Sequence, residues 1–208
     1  MKYAFIGFGE LGKQFFNILS PTDSDQLVIF DDTVEADYTI HFPFNHWQNE
    51  EFSNYSFLVA LGYKHLIFKN KIISKLAHES RSIHTFIHSS SYVCNTAKIG
   101  RGVIIYPMSN IDMGAIIHDG VLINNSVIVS HETTIGQCSY ISPGVVFSGK
   151  VKVGENCFIG SGTVIANNVT IGNNVIIGIG SVVTKNIPDN THAIGNPLRI
   201  LNKPLNIE

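Results

Sequence analysis

A step of six residues governs the second half of the chain. Starting at Ile99 it lands on Ile105, Ile111, Ile117, Ile123, Val129, Ile135, Ile141, Phe147, Val153, Ile159, Ile165, Ile171, Ile177 and Val183, and every landing is apolar. Two positions ahead of most anchors stands a small or β-branched residue, as at Ala97, Val103, Ser109, Ala115, Val121, Val127, Thr133, Val145, Val151, Thr163, Val169 and Val175. A sandwich of alternating strands would instead show period two inside short runs separated by irregular loops. No irregularity interrupts this frame.

One large and one small inward residue per flat face is the pattern of a parallel β-helix whose coils stack on one another. Three faces close a coil of about 18 residues, so the frame holds about five coils, with Ile87 and Val93 keeping phase ahead of it. Glycine follows the anchor at Gly100, Gly136, Gly154, Gly160, Gly172 and Gly178. These glycines are expected to supply the unusual φ values of sharp corners.

The front of the chain reads differently. Tyr3-Ala4-Phe5-Ile6 is a buried strand, Gly7-Phe8-Gly9-Glu10-Leu11-Gly12 follows at once, and Lys13 to Leu19 continues as a helix. A second strand, Leu27 to Phe30, ends in Asp31-Asp32; a third is expected near residues 38–40; a fourth, Phe57 to Leu61, ends at Gly62 before a helix from about Lys64 to Ser80. Strand, glycine turn, helix, strand and acid is the layout of a nucleotide-binding unit, in which backbone N–H groups and a helix N-terminus receive phosphate. Residues 1–87 thus hold an α/β half-Rossmann-like domain, enough for one mononucleotide but without the second half a dinucleotide uses. The competing reading of Gly7, Gly9 and Gly12 is that they permit close helix–strand packing. A carboxylate at Asp31 or Asp32 would accept from a ribose hydroxyl or from the N3–H of uracil or thymine.

Composition narrows the function classes. Net charge is −2 and the 14 Lys and Arg are scattered, so the electrostatic footprint of a nucleic-acid binder is missing. Cys94, Cys138 and Cys157 form no CxxC pair and suit a reducing compartment as core or turn fillers. Met1-Lys2 leads straight into a short apolar stretch, and nowhere do 18 apolar residues run uninterrupted, which argues against a signal peptide or a membrane span. A cytoplasmic protein is expected.

Between Ser89 and Thr191 only two histidines occur, His118 and His131, both near corners rather than at inward anchors. His118 reads as a solvated corner residue. A zinc hydratase of the β-helix type needs three histidine ligands, and the coils offer two; no metal is expected. The alternative to an enzyme is a nucleotide-sensing scaffold, since a fold does not dictate function.

A short Rossmann-like domain in front of hexapeptide coils, with Asn124-Asn125-Ser126-Val127-Ile128-Val129-Ser130-His131-Glu132, then Ser142-Pro143-Gly144 and a closing Gly195-Asn196-Pro197, resembles the bacterial nucleotide-sugar N-acetyltransferases and sialic acid O-acetyltransferase. The resemblance covers essentially the whole chain. It implies a left-handed β-helix over 88–208 with a C-terminal tail, assembly as a homotrimer with sites in clefts between neighbouring helices, and acetyl-CoA as co-substrate. It implies His131 as general base, Glu132 orienting or polarising it, Asn124 near the acceptor amine or the base, and the Gly149 N–H aimed at the thioester carbonyl. Ser161 and Gly178-Ile179-Gly180 align with the stretch along the pantetheine arm. Gly9, Glu10, Leu11, Asp31, Asp32, Gly62 and Lys64 fall where relatives hold the nucleotide and its phosphates. Where relatives often carry a histidine in the first turn, this chain has Leu11.

The implied activity is N-acetylation of a nucleotide-linked amino sugar for surface glycans, on family grounds a UDP- or dTDP-4-amino-4,6-dideoxyhexose; the alternative is sialic acid O-acetylation. An amine attacks a thioester only when unprotonated, and imidazole, titrating near neutrality, can take its proton. Adjacent residues of an extended strand point to opposite sides. A His131–Glu132 pair therefore needs corner geometry, failing which Asp112 or Asp119 would orient the histidine.

Overall fold

The computed structural model describes residues 1–19, 26–33 and 41–204. The chain divides into two compact units, Met1–Phe86 and Ile87–Glu208.

In the first unit, β1 (Lys2–Ile6) feeds α1 (Glu10–Leu19), and β2 (Gln26–Phe30) returns beside it; β3 (His41–Phe42), β4 (Ser56–Val59) and α2 (Leu66–His78) follow. All four strands are parallel, in the order β3-β2-β1-β4. The strand expected near residues 38–40 lies outside the described residues. The first helix starts three residues earlier than its apolar run suggests, because the Gly9 carbonyl accepts from Lys13 N–H (3.0 Å) and draws the glycine turn into the first helical turn. Burial of Phe5, Phe8, Phe15 and Phe57, none more than 1% exposed, closes the core. Each such ring contributes on the order of 1.5–3 kcal/mol.

The second unit is a parallel β-solenoid of two-residue strands separated by four-residue corners. One sheet runs Tyr92–Val93, Asn110–Ile111, Ile128–Val129, Val146–Phe147, Val164–Ile165 and Val182–Val183, which sets the solenoid at about six turns. A second passes through Ile104–Ile105 and climbs to His192–Ile194, where Arg199–Ile200 returns antiparallel; the third runs from Lys98–Ile99 to Thr170–Ile171. Partners in neighbouring strands stand 18 residues apart, as in Lys98, Ile116 and Thr134. The anchors fill the interior: Ile105, Ile123, Ile141, Phe147, Ile159 and Ile177 are all 0% exposed. Serine and threonine at the smaller inward position serve corner carbonyls. Ser109 Oγ donates to Asn124 O (2.8 Å), Thr133 Oγ1 to Ser148 O (3.1 Å) and Ser139 Oγ to Gly154 O (2.9 Å), so the buried hydroxyls and the carbonyls they meet are both satisfied.

One expectation is overturned here. Left-handed backbone lies not at the glycines following the anchors but two residues later, at Met108, Ser126, Glu132, Cys138, Lys150, Asn156, Asn168 and Asn174 as well as at glycines. The glycines after the anchors are there for space between coils. A Cβ on Gly136 would lie 2.5 Å from the Gly154 backbone, and one on Gly160 2.6 Å from Ile179 N. The cysteines are fillers: Cys138 and Cys157 are buried, and burial pushes the Cys157 thiol up to about 11.

Candidate active site

Two groups of residues carry chemistry, one in each unit. In the first, the carboxyl ends of β1 and β4 lie side by side, and the chain leaves β1 toward α1 while β4 continues the sheet on the other flank. This is the switch point at which open α/β sheets hold ligands. Gly7 takes φ +84, and a Cβ there would fall 2.8 Å from Leu61; one on Gly12 would fall 2.8 Å from Gly7 O. Those two glycines serve packing. Gly9 and Gly62 instead open onto empty space, with nothing within 4 Å of a Cβ on either. Glu10 and Lys64 are exposed beside them and Leu11 is half-buried.

Asp31 turns out to be a builder of the glycine turn, and Asp32 holds the segment after β3. Asp31 is buried; its Oδ2 accepts from Phe8 N–H (2.6 Å), between the two glycines, and its Oδ1 from Thr33 N–H (2.8 Å) and Oγ1 (2.6 Å). His41 Nε2 meets the Asp31 carbonyl oxygen. Burial alone would raise the Asp31 carboxyl, but the hydrogen bonds from Thr33 and Phe8, with the His41 charge, hold it below its ordinary value. Both oxygens expected to meet ribose or base are therefore committed to the backbone. Asp32 Oδ1 accepts from Phe44 N–H (2.9 Å).

In the solenoid, His131 and Glu132 occupy the corner after Ile128–Val129. Glu132 takes φ +58, a region sparsely used by non-glycine residues. That reversal of the strand alternation swings the carboxylate to the imidazole, with Oε1 3.6 Å from His131 Nδ1. Neither Asp112 nor Asp119 takes this place: Asp112 Oδ1 accepts from Met113 N–H, and Asp119 pairs with Arg101 at 2.8 Å. Lys150 Nζ stands 3.8 Å from the other Glu132 oxygen, giving a chain Lys150–Glu132–His131 at the surface.

The other ring nitrogen faces the next coil. A Cβ on Gly149 would fall 2.3 Å from His131 Nε2, so only glycine leaves the ring its seat. The Gly149 N–H, expected to meet a thioester carbonyl, instead donates to Asn167 Oδ1 at 2.9 Å. Asn124 lies at the corner before Ile128–Val129 and His131 at the corner after it, so one chain holds them at opposite edges of a sheet. Asn124 Nδ2 donates to Tyr140 Oη (3.3 Å), whose ring stacks on Phe158. Lys150, Asn167 and Tyr140 contact the expected site residues without having been among them, although Lys150 and Asn167 are legible from the 18-residue coil: Glu132 to Lys150 and Gly149 to Asn167 are each one coil apart. His118 is an exposed corner residue.

At the corner that also holds Asn124, Gly144, Gly162 and Gly180 recur one per coil at φ +63 to +68, each opening onto empty space. Ser161 and Ile179 are exposed beside them, Ile179 by 68%. Gly178 is closed instead: a Cβ there would strike Ile194 at 2.5 Å. A bare strip of this kind can receive a long, flexible ligand against the backbone. Among the described residues no group of three or more His, Cys, Asp or Glu could hold a metal ion, and no helix is long and apolar enough to cross a membrane.

Residues 87–194 match the family model described as the GMPPB C-terminal domain. Among solved structures, the acetyltransferase domain of PglB from Neisseria gonorrhoeae superposes with TM-score 0.86 at 26% identity, over 96% of this chain and 99% of that one. The same domain has also been solved in complex with acetyl coenzyme A. A histidine-to-asparagine variant of perosamine N-acetyltransferase from Caulobacter crescentus, in complex with CoA and GDP-perosamine, superposes with TM-score 0.85 at 25% identity over 98% of both chains. WeeI from Acinetobacter baumannii, 18% identical over 97% of this chain and 99% of that one, shares the fold with TM-score 0.62.

Proposed function

The chain belongs to the GMPPB C-terminal domain family, and from its structural neighbours we propose that it acetylates the amino group of a nucleotide-linked amino sugar, with acetyl-CoA as donor. That it is an acetyltransferase using acetyl-CoA follows from neighbours of the same length that share both units with it. The observation that carries the reading of its own site is the seating of His131: a carboxylate at Nδ1 and the bare backbone of Gly149 against Nε2.

His131 Nε2 is the base. The Glu132 carboxylate favours the tautomer with its proton on Nδ1, which leaves the Nε2 lone pair beside Gly149 to accept a proton. The amine attacks the thioester carbon, the C–N bond forms as the C–S bond breaks, CoA leaves as thiolate, and Nε2 takes the proton the amine loses. The chain supplies no covalent nucleophile to this step, because direct attack suffices. Residues 88–208 perform it. The open corner strip at Gly144, Gly162 and Gly180, with Ser161 and Ile179, receives the pantetheine arm.

Residues 1–87 hold the nucleotide. Gly9 and Gly62 let phosphate approach bare backbone at the switch point, with Lys64 as its cation, while Asp31 fixes the turn. UDP or dTDP carrying a 4-amino-4,6-dideoxyhexose is our reading of the acceptor.

The active assembly is a homotrimer of left-handed coils. The sheet between the His131 corner and the glycine strip presents Ile128 (44% exposed) and Val164 (41% exposed) outward, with Val146 and Val182 between and beyond them. The sheet following the His131 corner presents Lys98, Ile116, Thr134, Lys152 and Thr170 at equivalent positions, one apolar residue in five. An apolar stripe of this kind suits a second copy, which would bring its own Asn124 corner and glycine strip to His131. Incubation of the protein with acetyl-CoA and each nucleotide amino sugar, followed by mass spectrometry of the sugar, tests the reading; an acetylated amine is expected, and an unmodified sugar in every case would refute it.

A further inference from the structure

At the His131 corner, three residues stack one coil apart: the imidazole lies over Gly149, and Gly149 N–H donates to Asn167 Oδ1 at 2.9 Å. Capping of a corner N–H by the next coil is used elsewhere in the solenoid, where Asp119 Oδ1 caps Arg101 N–H, Asn173 Oδ1 caps Glu155 N–H and Asp189 Oδ1 caps Asn173 N–H. Those three caps stand at the corner that holds His118, an exposed residue, and each capped residue carries a side chain.

Gly149 differs on both counts. It has no side chain, and the space beside its Cα is filled by the nitrogen that receives the amine proton. The atom it binds is an amide carbonyl oxygen, the same kind of acceptor that a thioester carbonyl presents, within hydrogen-bonding distance. The Asn167 side chain is exposed and can turn into water without leaving a buried polar group behind.

We propose that Asn167 Oδ1 occupies the donor-carbonyl position in the free enzyme and is displaced by the thioester carbonyl oxygen of acetyl-CoA. This rests on the reading of the Gly149 corner as the acetyl-donor site. Asn167 is then a positioning residue that keeps the Gly149 N–H satisfied between turnovers. It competes with acetyl-CoA, which brings a thioester carbonyl, and not with CoA, whose thiol end carries none. Once the acetyl group has left, the Asn167 amide swings back.

Isothermal titration of the wild type, Asn167→Ala and Asn167→Asp with acetyl-CoA and with CoA tests this. Loss of one neutral competing hydrogen bond should raise the affinity for acetyl-CoA relative to CoA about fivefold in Asn167→Ala. The stronger carboxylate acceptor of Asn167→Asp should lower the same ratio. Taking the ratio cancels any general effect on the coil or on CoA charge, and if the alanine variant does not fold, the aspartate variant decides. A ratio unchanged in the variants, with or without a common loss for both ligands, would show the cap to be permanent and overturn the proposal. Binding of neither ligand by the wild type would instead overturn the donor-site reading beneath it.

Discussion

A Cβ on Gly149 would come within 2.3 Å of Nε2 of His131, one coil away. The ring and the glycine are fitted to one another: the backbone of one coil is the seat for the imidazole of the previous one. Gly149→Ala should push the imidazole off its position while leaving the anchors of both coils in place. Misplacement on the order of 1 Å costs about 10²-fold in rate. We expect kcat to fall by that much with the melting temperature little changed, measured by CoA release and by thermal unfolding side by side.

In the proposed mechanism Glu132 acts through His131, so its loss should cost less than loss of the proposed base. His131→Ala removes general-base catalysis, expected to be about 10²–10⁴-fold; Glu132→Gln should cost roughly tenfold in kcat with little change in KM for either substrate. An equal loss in both variants would place Glu132 in direct contact with the amine instead. Both variants are read by steady-state kinetics.

The corner pairing shows where sequence reading stops. The period of six places every anchor, because one misplaced polar residue would be buried in the stack, and the coil count follows from it. What periodicity does not reveal is which corner residue takes positive φ. At Glu132 that φ decides whether two neighbours in sequence face each other, and it is set by the closing of the coil rather than by the residue itself. The glycines after the anchors misled for the same reason: Gly136 and Gly154 are small because the next coil presses on them, a contact made 18 residues away. Asp31 was legible as an acid at a strand end, but its commitment to Phe8 N–H depends on how the glycine turn folds back over β2.

Asp31→Ala should leave the Phe8 N–H unsatisfied and loosen the glycine turn, costing about 1–3 kcal/mol of stability at neutral pH. The Asp31 carboxyl is held below its ordinary value in the folded chain. The stability it contributes is therefore fully present above about pH 4 and is lost as pH falls through the lower folded value. Urea unfolding between pH 7 and pH 3 should show the gap between wild type and variant narrowing toward the acid end. A gap constant with pH would mean that the ionised carboxylate is not what holds the turn.

Placing a charge in the exposed stripe should separate the copies of the proposed trimer without unfolding them. Ile128→Glu and Val164→Glu put carboxylates where two apolar side chains stand outward. Light scattering is expected to show monomers, with unchanged circular dichroism and a loss of transfer of at least about 10²-fold, as a site completed by a second copy requires. Monomers that retain full activity would place the whole site within one chain.

The central claim, transfer of acetyl from acetyl-CoA to a nucleotide-linked amine with His131 as base, is tested most directly by release of free CoA thiol. Acetyl-CoA and a panel of UDP-, dTDP- and GDP-linked amino sugars are presented to wild type and His131→Ala in parallel. Turnover with at least one nucleotide amino sugar, lost in the variant, is the predicted result. No turnover with any of them, together with thiol release in the presence of free sialic acid or another hydroxyl acceptor, would contradict it and identify an O-acetyltransferase instead.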